Sequence, residues 1–103
     1  MAINIPAKYK EEIVVNGKNQ ADLMKLALET VNSLDWATKN VTSTDFYATV
    51  GFSFKSFSEV IHIEISKDTV SIESRCVGVQ IYDWGKNKDN VNSFKTQLAK
   101  LLN

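Results

Sequence analysis

The chain of 103 residues has one histidine, His62, and one cysteine, Cys76, and these are the side chains best suited to acid-base or nucleophilic chemistry. As a pair they fail on periodicity. In the strand-like run 69–77, Cys76 shares a face with Ile72 and Ser74, whereas His62 alternates away from Ile61, Ile63 and Ile65 in the run 60–66, so the two side chains point to opposite sides of a sheet. Cys76 is then expected to be a small core hydrophobe. His62 has better company. A hairpin turn at Ser66-Lys67-Asp68-Thr69 pairs Ile65 with Val70 and Ile63 with Ile72, which sets His62 opposite Glu73, with Glu64 and Arg75 on the same face. A carboxylate can orient an imidazole, so a hydrolase using His62 and Glu73 is one reading. The simpler reading is a solvated sheet face decorated with cross-strand His-Glu and Glu-Arg pairs. No metal triad, Gly-rich phosphate loop or second convergent set of groups accompanies it in the sequence, so no catalytic, metal-binding or cofactor-binding residue is expected.

The same face carries Tyr47, Thr49, Gly51 and Ser71. Tyr47 stands almost alone there as an aromatic, and 12 basic residues balance 12 acidic ones for a net charge of zero, which argues against a nucleic-acid partner. Phe46, Phe52, Phe54 and Phe57 could line a pocket for a small apolar ligand between sheet and helices. In a domain of this size they are needed to fill the interior, and core is the default.

The elements that position these residues follow from periodicity. Residues 1–10 have little pattern and read as an arm or edge segment, and residues 12–15 form a candidate first strand closed by the turn dipeptide Asn16-Gly17. Asn19 reads as an N-cap, with Leu23, Met24, Ala27, Leu28, Val31 and Leu34 recurring at helical spacing. From Trp36 the period becomes two. Phe46, Ala48, Val50, Phe52 and Phe54 alternate with polar or small residues, followed by the runs 60–66 and 69–77. The register of the segment 36–43 is not fixed by pattern. Val91, Phe94, Leu98, Leu101 and Leu102 make the apolar stripe of a terminal helix whose cap is expected at Asn87 or Asp89. The order strand, helix, four strands, helix implies an α+β fold in two layers, an antiparallel sheet of about five strands with both helices on one face.

Between the last strand and that helix lies the corner Asp83-Trp84-Gly85-Lys86-Asn87. Oxygen donors at Asp83, Asn87 and Asp89 suggest a calcium loop, but Lys88 and Phe94 stand where the sharp-turn glycine and the bidentate glutamate belong. Lys86 and Lys88 beside a helix N-terminus would suit an anion only weakly. A structural corner, with Asp83 and Asn87 satisfying backbone N–H groups and Trp84 packing, fits better.

With Ser74-Arg75, Gly78, the Asp-x-Gly-x-Asn corner 83–87 and Val91 four residues later, the chain resembles small bacterial α+β domains of unassigned function. Tyr82 stands where such domains favour a serine. Similar domains occur attached to membrane-spanning segments, so the resemblance implies an accessory module and carries no established activity.

At 44% apolar and 10% aromatic residues, the chain is expected to fold as a single domain over residues 1–103. A lone cysteine suits a reducing compartment, and no stretch approaches the roughly 18 apolar residues of a spanning helix. A soluble, cytoplasmic monomer without direct membrane insertion is therefore expected. The sequon Asn40-Val41-Thr42 would matter only in a secretory pathway. The reading favoured is a non-enzymatic accessory or protein-interaction domain, its docking surface at Tyr47, Thr49, His62, Glu64, Glu73 and Arg75. The alternatives are an apolar-ligand binder and, behind it, the hydrolase.

Overall fold

The computed structural model describes residues 8–50, 59–76 and 86–102. Along it run β1 (Lys8–Val14), α1 (Gln20–Ser33), β2 (Ala37–Lys39), β3 (Asp45–Val50), β4 (Glu59–Ser66), β5 (Thr69–Cys76) and α2 (Lys86–Leu102). The strands form one five-stranded sheet in the order β1-β5-β4-β3-β2, with every pairing antiparallel. The α+β architecture expected from the pattern is the one observed. Gly51, Phe52, Phe54, Phe57, Tyr82, Asp83, Trp84 and Gly85 lie outside the described residues.

The hairpin of β4 and β5 pairs Ile65 with Val70, Ile63 with Ile72 and His62 with Glu73, as the alternation requires. A slip of one residue would turn every isoleucine of β4 to the other face, so burial of that face fixes the register. Ile61, Ile63, Ile65, Val70 and Ile72 are buried with Phe46 and Ala48 of β3. Val31, Val91, Phe94 and Leu98 from the helices join the same cluster, which places both helices on one side of the sheet. The opposite side carries the intermediate and exposed residues.

Helix α1 starts where Asn19 Oδ1 accepts the backbone N–H of Asp22 at 2.8 Å, the expected N-cap. Its end uses a device the sequence hides. Asp35 adopts φ 63°, Asp35 N–H donates to Asn32 O at 3.0 Å and Trp36 N–H donates to Val31 O at 3.0 Å. These paired bonds make a Schellman motif with aspartate at the left-handed position where glycine is usual, and the following Trp36 is buried against the core. Leu26 and Thr30 lie in the buried stripe while Leu28 and Leu34 sit at its margin. Thr30 is tolerated there because its hydroxyl donates to Leu26 O at 2.7 Å.

Several expectations need correction. β1 begins at Lys8, ahead of the expected Glu12, because its helix-side positions include Tyr9 and Glu11, whose polarity weakens the apolar alternation. Tyr9 Oη donates to Glu11 Oε2 at 2.7 Å, and Glu11 is met by Lys95 of α2, also at 2.7 Å. The segment after Trp36 pairs Ala37 with Thr49, Thr38 with Ala48 and Lys39 with Tyr47. Leu101 and Leu102, expected in the apolar stripe of α2, are 40% and 38% exposed. Leu101 instead borders a surface groove shared with Lys18, Asp22 and Lys25. Asn87 and Asp89 do not cap α2, because the helix already includes Lys86.

Candidate functional site

The open face of the sheet is built from residues that alternate with the core. Strand pairing arranges them in rows that cross the sheet. Lys10, Glu73, His62, Tyr47 and Lys39 form the central row, Lys8, Arg75, Val60, Thr49 and Ala37 lie on one side of it, and Glu12, Ser71, Glu64 and Asp45 lie on the other. The sequence placed Tyr47, Thr49, His62, Glu64, Glu73 and Arg75 together, and the structure brings all of them to this face.

His62 is not oriented by Glu73, its direct partner across the strands. Its Nε2 lies 2.9 Å from Asp45 Oδ2, and its ring stacks on Tyr47 with centroids 4.4 Å apart and 16° between planes. Asp45 is itself fixed from the other side, since the Thr42 hydroxyl donates to its Oδ1 at 2.6 Å. The same Thr42 Oγ1 accepts the backbone N–H of Thr44 and of Asp45 at 3.1 and 3.0 Å, so the turn into β3 is tied to the carboxylate. The Thr42 hydroxyl first, and the His62 imidazole second, hold the Asp45 carboxyl below the usual aspartate range. An ionised carboxylate can only accept, so in this pair His62 Nε2 carries the donated proton. Asp45 is not marked out by the sequence because the apolar alternation of β3 begins only at Phe46. The available signal was diagonal: Asp45 pairs with Glu64, two residues beyond His62.

Glu73 instead lies 3.8 Å from Lys8 Nζ. Among the described residues the Arg75 guanidinium makes no hydrogen bond or ion pair. Tyr47, Val60, His62, Glu73 and Arg75 together border a hollow of about 90 Å³. Its lining is polar and rigidly backed by strands. An imidazole held by a carboxylate is a component of general-base sites, yet the His62 ring has no hydrogen-bond partner among the described residues other than Asp45. Cys76 stands opposite Glu59 in the register, three positions along β4 from His62. Among the described residues no group of three or more His, Cys, Asp or Glu side chains could hold a metal ion. No helix there is long and apolar enough to cross a membrane.

A second polar cluster lies on the helix side and is buried. Ser74 Oγ donates to Asn87 Oδ1 at 2.7 Å, while Asn90 Nδ2 donates to Ser74 Oγ and to Glu59 Oε1, each at 3.1 Å. Ser74 and Asn87 are fully buried and Glu59 is 5% exposed. This cluster joins the first turn of α2 to the ends of β4 and β5, which is the structural part of Asn87. Buried polar groups persist only when they are satisfied, and here they satisfy one another.

The described fold has a solved counterpart. It is similar to the crystal structure of a TBP-like protein from Parabacteroides distasonis, with a TM-score of 0.51 and 6% sequence identity, covering 66% of this chain and 53% of that one. This chain thus spans about half the length of that neighbour, and at such identity the likeness shows the fold alone. No family model and no curated protein matches the sequence.

Proposed function

We propose that this domain is a non-enzymatic protein-interaction module that docks a polar partner on the open face of its sheet, and that it is a monomer in dilute solution. The observation that carries the reading is the fixation of His62. Its ring is held by Asp45 at 2.9 Å and stacked on Tyr47, so polar groups 30% and 28% exposed present one geometry before any partner arrives. Preorganisation of this kind lowers the entropy cost of binding. The mixed polar composition of the face suits a partner that associates and leaves, since permanent interfaces have a more apolar centre. The hydrolase reading loses its stated pair, because Asp45 rather than Glu73 holds the imidazole.

Site-specific photocross-linking in the native cell tests the reading. A benzophenone side chain at position 49, on the open face, is expected to capture a protein partner, and the same group at position 92, on the exposed side of α2, is not. Adducts formed only from position 92 would overturn the proposal.

A further inference from the structure

Charge on the open face is graded along the strands. Lys8 and Arg75 stand in one outer row and Glu12, Glu64 and Asp45 in the opposite one. Rows on one face are about 7 Å apart, two residues of a strand, so the gradient runs over roughly 14 Å. At the cationic end Lys8 leans toward Glu73 at 3.8 Å, which among the described residues leaves Arg75 as the charge in surplus. The guanidinium is exposed and has no hydrogen bond or ion pair among the described residues. It borders the hollow of about 90 Å³ beside the stacked pair of Tyr47 and His62.

Resting on the docking reading above, we propose that this hollow seats an aspartate or glutamate side chain of the partner, held by Arg75. A planar guanidinium offers two parallel N–H donors that match a carboxylate, a geometry an ammonium cannot reproduce. The stacked rings form one wall of the seat and keep water from one side of that contact. Glu73 on the rim repels anions, and the penalty is larger for a doubly charged phosphate than for a singly charged carboxylate. The acidic row at the far end, Glu12, Glu64 and Asp45, disfavours an acidic segment laid along the whole strand direction. The partner segment is therefore acidic at the Arg75 end and neutral or basic toward Glu64.

The test is an NMR titration of the ¹⁵N-labelled full chain with three capped, otherwise identical peptides bearing glutamate, glutamine or lysine at their centre. The glutamate peptide is expected to saturate, with amide shifts centred on Val60, His62, Glu73 and Arg75. Arg75→Gln should weaken it by about tenfold or more, as loss of a charge-assisted bond does. Arg75→Lys should recover part of that loss, and Glu64→Gln should leave binding unchanged or slightly tighter. Equal binding of the glutamine peptide, tighter binding of the lysine peptide, an unchanged affinity in Arg75→Gln, or no saturation up to about 5 mM would each overturn the carboxylate seat. In any of those cases cross-links from position 49 would still uphold the docking face, so the two proposals fail separately.

Discussion

Replacing Ser74 by alanine removes one oxygen atom from a fully buried position and breaks both ends of a short chain of hydrogen bonds. The hydroxyl donates to Asn87 Oδ1 at 2.7 Å and accepts from Asn90 Nδ2 at 3.1 Å. A buried neutral hydrogen bond is worth about 1 kcal/mol net, so the loss of both amounts to about 2 kcal/mol. It should not much exceed that figure, because Asn90 keeps Glu59 at 3.1 Å and Asn87 keeps a further interaction. For a chain of this size the change lowers Tm by roughly 8–16 °C. Equilibrium urea unfolding followed by tryptophan fluorescence reads it directly, with an unchanged m-value showing that the native state is otherwise intact. Ser71→Ala is the control, since it changes the same atom on the same strand at a half-exposed position of the open face and should cost less than about 0.5 kcal/mol. In a double-mutant cycle, Ser74→Ala and Asn90→Ala should be non-additive by at least about 0.5 kcal/mol. Equal stability of the Ser74 and Ser71 variants would refute the idea that this cluster fastens α2 to the sheet.

Ile63→Ala and Phe94→Ala, both fully buried, should each destabilise by roughly 2–5 kcal/mol in the same urea assay. Asp35→Gly should stabilise by up to about 1 kcal/mol, because a left-handed residue costs an L side chain about 1–2 kcal/mol and glycine returns part of that gain to the unfolded chain; thermal melts will show the sign. The Lys95 ammonium first and the Tyr9 hydroxyl second hold Glu11 below the usual glutamate range, as Thr42 and His62 do for Asp45. A depressed carboxyl favours the native state above its unfolded pKa of about 4 and loses that contribution as pH falls through the folded value. Unfolding scans from pH 5 to 2 should therefore show a shallower loss of stability for Asp45→Asn and Glu11→Gln than for the unaltered chain.

Alternation alone determined the β4–β5 hairpin. Isoleucine at every second position of one strand, a short polar turn and a matching set on the next strand admit a single register that puts both apolar sets on one buried face. The same logic placed His62, Glu73, Arg75 and Tyr47 on one side, because side-chain direction in a strand is a local property. Asn19 was legible as a cap for a similar reason: its bond to Asp22 closes within one turn. What the tertiary structure decided lies in contacts between elements distant in sequence. Glu11 and Lys95 meet only because α2 crosses β1, so β1 hid behind its own polar residues. By sequence Ser74 reads only as a residue on the apolar face of its strand and Asn87 as a cap, and the docking of α2 joins both to Asn90 and Glu59. The partner of His62 was decided likewise. Register set Glu73 opposite it, but the turn bonds of Thr42 aim the Asp45 carboxylate at Nε2, and the orientation of a side chain within a row depends on such three-dimensional constraints rather than on the alternation that fills the row.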